Sequence, residues 1–255
     1  MTRALRVEWL KFRRSTVVAV ATALMVVLLP AMGLGIFSVA SSEVVSPMAA
    51  KMQGLLIGDG WDAYLGAIAQ IAAAAVFVGA GVVAAWMFGR EHADRTFPSL
   101  FALAVSRSSI ASAKFVILAI WIAALTFAVL VVAVLGGSMA RVAELDLGEL
   151  ASPALRLMFV VATTGLLALA AGYVASVGRG YLPAIGAIIV VVATSQISVL
   201  FGAGGWLPFA VPGLVAITGS DAAPPLSMVQ IALVPALVLV AIWLTVRWWE
   251  RAEVV

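Results

Sequence analysis

Six long apolar blocks divide this chain, at 16–40, 64–88, 115–138, 154–177, 182–201 and 228–247. About 20 mostly apolar residues of helix suffice to cross a hydrocarbon core of about 30 Å, so each block reads as a membrane span. The blocks are rich in Ala, Leu, Val and Ile and lack the polar alternation of an outer-membrane strand, which favours a helical bundle over a barrel. Composition agrees. With 64% apolar and 11% charged residues and a mean hydropathy of +1.17, too few polar residues remain to cover a soluble globule. The 255 residues read as one all-α integral membrane domain, without an internal repeat or a linker to a second domain.

Charge gives the expected orientation. Twelve of the fifteen basic residues fall before span one, between spans two and three, after span four and after span six; Lys51, Arg141 and Arg156 fall on the other side. Short loops rich in Lys and Arg stay in the cytoplasm, so both termini are expected there. The basic start and apolar run resemble a secretory signal, but the run is too long for a cleavable one and reads as a retained first span. The pI near 9.7 reflects these loop charges and points to anionic lipid headgroups rather than nucleic acid. With no cysteine, disulfides and thiolate metal sites are excluded.

Three segments outside the spans carry pattern. In residues 1–15, Leu5, Trp9 and Phe12 share one helical face among basic residues, as in an interfacial helix; a basic tail that only enforces topology is the alternative. In 89–114, Thr96 can cap a short helix with Pro98 in its first turn, placing Phe97, Leu100, Phe101 and Ala104 on one side. That face would rest on the membrane, on the bundle, or in a groove of another protein. In 202–227, Pro208, Pro212 and Gly213 interrupt an apolar stretch, as expected of a broken, re-entrant pair of short helices; an ordinary apolar loop is the alternative.

The span interiors contain no Asp, Glu, Lys, Arg or His, with Arg156 and Arg247 at ends where they reach the interface. This counts against a gradient-driven carrier, which usually needs an ionisable group at mid-membrane. Gln70, Thr194, Ser195 and Gln196 are the candidates for lining a substrate path, although such residues more often bond a neighbouring helix or their own backbone. Small residues at four-residue spacing, Ala75 and Gly79, and Ala168, Gly172 and Ser176, permit close helix contact. His92 has no second histidine to complete a metal site and reads as a solvated loop residue. No P-loop occurs, so energy from ATP must come through a partner. Trp61 and Trp206 read as belt residues at one interface, Trp86, Trp248 and Trp249 at the other, while Trp121 and Trp243 read as packing groups.

Three motifs in order, Glu8-Trp9-x-Lys11-x-Arg13-Arg14, the stretch from Glu91 through Thr96, Leu100 and Ser106-Arg107 to Ala113-Lys114, and Leu207-Pro208-Phe209-Ala210-Val211-Pro212, make the whole chain resemble the permease subunit of an ABC-2 type ATP-binding-cassette exporter, of the six-span bacterial drug, bacteriocin and antimicrobial-peptide efflux kind. Arg95, Phe101 and Ala104 stand where that family's middle motif usually has glycine, leucine and proline. The resemblance implies a permease without cofactor of its own, in the bacterial inner membrane. It would pair with a second copy or a close paralogue above two cytoplasmic ATPase subunits that bind ATP and magnesium. It also implies a coupling helix after span two, with Glu91, Thr96, Phe97, Leu100, Phe101 and Arg107 facing the ATPase. An external gate formed by Trp206, Pro208, Phe209 and Pro212 over spans two and five is the matching expectation for the last external segment. The competing readings are a membrane scaffold without a transport path and a gradient-driven carrier.

Overall fold

The computed structural model describes residues 2–42, 46–97, 105–220 and 223–252, and among these every regular element is helical. Six helical stretches are long and apolar enough to span a membrane: Thr16–Ala40, Gly60–Ala93, Arg107–Met139, Leu147–Val177, Tyr181–Leu200 and Met228–Arg251. Each overlaps one of the six apolar blocks, and several run further at one or both ends. Before them, α1 (Thr2–Arg13) lies against the third span.

The first span is not uniform. It runs as α2 (Thr16–Ala23), a π-helical turn (Leu24–Leu28) and α3 (Leu29–Ala40). Ser15 caps its start, its hydroxyl accepting from the Val18 N–H at 3.3 Å. Pro30 follows the π turn and has no N–H to give the carbonyl of Val26, which explains why the hydrogen-bond ladder loosens here. A short helix, α4 (Pro47–Gln53), folds back on α3, and Gln53 Nε2 donates to the Ala40 carbonyl at 3.0 Å.

The second span, α5 (Gly60–Ala93), is the central helix and packs against α3, against both halves of the fourth span, α7 (Leu147–Leu167) and α8 (Ala170–Val177), and against the fifth span, α9 (Tyr181–Leu200). Its 34 residues rise about 51 Å, more than one hydrocarbon core. Small residues set how closely its neighbours approach. A Cβ on Gly89 would lie 2.6 Å from the Tyr181 amide nitrogen, and one on Gly172 would lie 2.7 Å from the Phe88 ring. The glycine at 172 is thus a packing device, as its spacing suggests, and Gly79 does the same against Met25.

The third span, α6 (Arg107–Met139), starts two turns earlier than its apolar block. The charged residues at both ends of the segment 89–114 are therefore helical, because α5 continues through Glu91 and α6 already contains Lys114. Beyond α9, a 3₁₀ turn (Gly204–Trp206) and α10 (Val211–Ala216) precede the sixth span, α11 (Met228–Arg251), whose start is closed by a reciprocal capping box between Ser227 and Gln230. Arg107 donates to the carbonyls of Glu250, at 2.9 Å, and Ala252, so the end of α11 meets the start of α6, the helix against which α1 also packs.

Several tryptophans depart from the belt reading. Trp61 is buried, donating to the Glu144 carbonyl at 2.9 Å, and Trp249 is wholly buried, donating to Ser176 Oγ at 2.9 Å. An indole N–H at an interface can be satisfied by water or by protein, and sequence does not distinguish the two. Trp121 is a packing group as expected, bonded to Thr22 Oγ1 at 3.0 Å, whereas Trp243 is exposed on the outside of α11. Arg156 is tied into the protein, pairing with Asp62 and donating to the Thr218 carbonyl, instead of reaching out to an interface.

Candidate functional site

At the terminus-bearing end the three helices α1, α5 and α6 are joined by a buried ammonium. Lys114 is fully enclosed and its Nζ has three acceptors: Glu8 Oε2 at 2.7 Å, Glu91 Oε1 at 2.7 Å and the Met87 carbonyl at 2.9 Å. A lysine ammonium carries three protons, so every one is used. Lys11 completes the group, 2.7 Å from Glu8 Oε1 and 3.6 Å from Glu91 Oε1. Two acids and two bases thus balance in a site closed by the rings of Phe88 and Trp249, each about 6 Å from the ammonium. Burial alone would raise the Glu8 carboxyl, but the charges and hydrogen bonds of Lys114 and Lys11 outweigh it and hold it below the usual carboxylate range.

Glu91, expected to face an ATPase, is 2% exposed within this chain and engaged by Lys114. The buried stripe of α1 is Ala4, Glu8 and Phe12, with Trp9 left partly exposed, because Lys114 draws Glu8 inward and Phe12 packs edge-on against Trp121 at 5.9 Å. His92, read as a solvated loop residue, sits in the last turn of α5 with its ring stacked on Phe97 at 4.2 Å. Phe97 itself is buried, also against Trp249, and Arg107 caps the C-terminus of α11, where a cation offsets the helix dipole. Thr96 is exposed in the turn after α5, bonded to the Glu91 carbonyl. Leu100 and Phe101 lie outside the described residues.

A cavity of about 250 Å³ opens between α5, α9 and α10. Gln70, Ser195, Gln196 and Phe209 line it, so three of the four candidate path residues and one of the four gate residues converge. Apolar walls come from Phe77, Val191, Val199 and Leu214. The polar groups differ in how free they are. Gln70 Nε2 donates to the Leu55 carbonyl at 2.8 Å and Ser195 Oγ to the Val191 carbonyl at 2.7 Å, whereas the Gln196 amide has no partner among the described residues. Thr194 points away, its hydroxyl bonded to the carbonyls of its own helix one turn back.

The segment between α9 and α11 packs chiefly against α5 and α7, with α9 closing the cavity. Phe209 meets Phe77 edge-on at 5.5 Å. Phe77 lies 17 residues along α5 from Gly60, roughly 25 Å of helix rise, so this aromatic contact sits deep in the bundle. Pro212 is buried, Pro208 is half-buried in the turn before α10, and Trp206 is 65% exposed; none of the three borders the cavity.

A family model described as ABC-2 family transporter protein matches residues 4–195 of this chain. The chain belongs to the ABC-2 transporter family. No individually curated protein matches it. As an ABC-2 family protein it is a multi-pass membrane transport component, and the matched region holds the whole Glu8–Glu91–Lys114 cluster together with Gln70 and Ser195 of the cavity. Gln196 and the α10 segment fall beyond the match. The cluster is what sequence reasoning missed in this ABC-2 protein. Its one signal is Glu8, the sole acid in the first 42 residues of a strongly basic start.

Proposed function

We propose that the chain is the membrane-spanning subunit of an ATP-driven exporter, moving an amphipathic or hydrophobic substrate such as a drug, peptide antibiotic or lipid-like molecule. Two permease copies, or this chain with a close paralogue, would stand above two ATPase subunits that bind ATP and magnesium. The terminus-bearing end would face the cytoplasm of a bacterial cell and receive the ATPases, consistent with its excess of Lys and Arg. The carrying observation is the cavity between α5 and α9 in an ABC-2 family fold, apolar along most of its wall with one unengaged amide at Gln196. Such a wall suits a substrate with a greasy body and few polar groups. The π turn in the first span and the break between α7 and α8 are places where spans can bend. In the same reading α10 gates the cavity, with Phe209 against Phe77 as its closed contact.

The test is transport into inverted membrane vesicles containing this chain and its ATPase. ATP should drive uptake of a substrate from a compound panel, and Val192→Trp, which fills the cavity from α9, should abolish uptake while leaving the ATPase bound. Uptake driven by an ion gradient without ATP would sink the exporter reading. Unimpaired uptake by the filled variant would remove the cavity from the path.

A further inference from the structure

Two adjoining concavities lie on the face between the first span and α5, sharing Thr16 and Val17 in their walls. The first, of about 500 Å³, lies at the terminus-bearing end and is lined by Lys11, Arg14, Ser15, Trp86 and Arg90. The second, a groove of about 910 Å³, is almost wholly apolar, with Val20, Leu24, Leu28 and Met32 on the first span facing Val78 on α5. We propose that these two concavities together bind one anionic glycerophospholipid, with its phosphate between Arg14 and Arg90 and its acyl chains in the groove.

Charge argues for the headgroup. Lys11 already faces Glu8 and Glu91, while Arg14 and Arg90 make no ion pair with any described acid. The Arg90 guanidinium is held 4.8 Å from the centre of the Trp86 ring, a contact that fixes its plane and leaves its N–H edges for an anion. Planar guanidinium forks match phosphate oxygens in pairs, and Ser15 and Thr16 add hydroxyls at the same level.

Length argues for the chains. From Thr16 to Met32 the groove follows about 24 Å of helix rise, against about 15 Å for one leaflet, half of a core of about 30 Å. An acyl chain that begins at Thr16 therefore runs its full leaflet depth inside the groove. The π turn at Leu24–Leu28 forms part of this wall.

A second copy of the chain is a poorer occupant. A two-fold interface in a membrane sets like patches at the same depth, so Arg14 and Arg90 of one copy would oppose the same arginines of the other without a described acid between them.

The full-length protein, stripped of lipid in neutral detergent, should be titrated with dioleoyl phosphatidylglycerol or dioleoyl phosphatidylcholine and read by native mass spectrometry. One phosphatidylglycerol should bind saturably, at least about tenfold tighter than phosphatidylcholine. The double variant Arg14→Gln/Arg90→Gln should weaken it roughly 30-fold, from the usual attraction of two basic groups to an anionic headgroup. Arg3→Gln/Arg6→Gln on α1 should leave it unchanged. Val78→Trp, which fills the groove, should weaken both lipids, and millimolar inorganic phosphate should not displace phosphatidylglycerol, because the chains carry much of the binding. Equal binding of the two lipids, retained affinity in the Arg14/Arg90 variant, or displacement by phosphate would overturn the proposal. A Val78→Trp variant that turns a dimer into a monomer with lipid binding intact would assign the groove to a second copy instead.

Discussion

Lys114 shows what one buried charge does to a membrane helix. Its ammonium is removed from water and repaid with three acceptors, two of them carboxylates, so its removal would leave the two buried acids Glu8 and Glu91 with Lys11 as their one cation rather than simply delete a contact. Breaking such a buried set by taking one partner typically costs about 3–5 kcal/mol, whereas replacing all members with uncharged groups of similar shape is often nearly neutral. Lys114→Met should therefore lower the melting temperature of the detergent-solubilised protein sharply, and Glu8→Gln/Glu91→Gln/Lys114→Met should recover most of it. A triple variant no more stable than the single one would show that the loss lies in packing and not in stranded charge. Acid should act through Glu8. Its folded carboxyl is held below its ordinary value, so its stabilising effect is complete above that value and is lost as pH falls through the lower folded one. Thermal melts of wild-type and Glu8→Gln protein should differ at neutral pH and converge as the acid range is entered. A gap that persists unchanged into strong acid would mean that Glu8 contributes by shape alone.

At the scale of helices, hydropathy reveals all six spans, but a helix can run beyond its apolar block where charges are paired inside the protein. α6 begins at Arg107 rather than near residue 115, because Arg107 caps α11 and Lys114 meets a carboxylate 106 residues earlier in the chain. Sequence periodicity sees neighbours three and four residues away and has no access to a partner at that separation. The path candidates show the same limit. Gln70 and Ser195 stand out as polar residues in greasy blocks, but nothing local tells that Thr194 turns to its own backbone while Gln196, two residues on, has no partner among the described residues. The small-residue spacings were readable because close packing needs only the absence of a side chain. That gives a sharp contrast within α5. Gly89→Ala would drive a Cβ into the backbone of Gly180 and Tyr181, which cannot yield as a side-chain tip can, while Gly66→Ala meets nothing within 4 Å. The first should destabilise the protein by about 1–3 kcal/mol or more. The second should stabilise it by up to about 1 kcal/mol through helix propensity. Melting temperatures that move in the same direction would contradict the α5–α9 contact.

For the molecule as a whole, the even number of spans and the meeting of Arg107 with the end of α11 put both termini at one end, and the basic loops argue that this end is cytoplasmic. Because the chain has no cysteine, single cysteines report cleanly. Ser106→Cys should react with an impermeant thiol reagent only from the cytoplasmic side and Ser220→Cys only from outside, and the opposite pattern would invert the bundle. The same end carries the connection from α5 to α6, where the ABC-2 resemblance points to a coupling helix. The enclosed neighbours of that connection argue for a rigid joint: Phe97 stacks on His92 and meets Trp249 edge-on, Glu91 is locked to Lys114, and Arg107 holds the last helix. A force applied to residues 98–104 would then reach α5, α6, α1 and α11 together, which suits a device that tilts whole spans against each other. On this reading the contact with an ATPase rests on Leu100 and Phe101, since Glu91 and Phe97 are occupied within the chain. An aromatic anchor in a partner groove contributes about 2–4 kcal/mol when it is a hot spot. Phe101→Ala and Leu100→Ala should consequently leave expression and melting temperature near wild type while cutting co-purification of the ATPase and ATP-dependent transport at least tenfold. Lys114→Met/Glu8→Gln/Glu91→Gln should do the reverse, keeping the ATPase bound but reducing the transport it drives, because the docking surface is intact and the joint behind it is loosened. If Phe101→Ala and Leu100→Ala retain full ATPase binding, the connection between α5 and α6 is not where the two proteins meet.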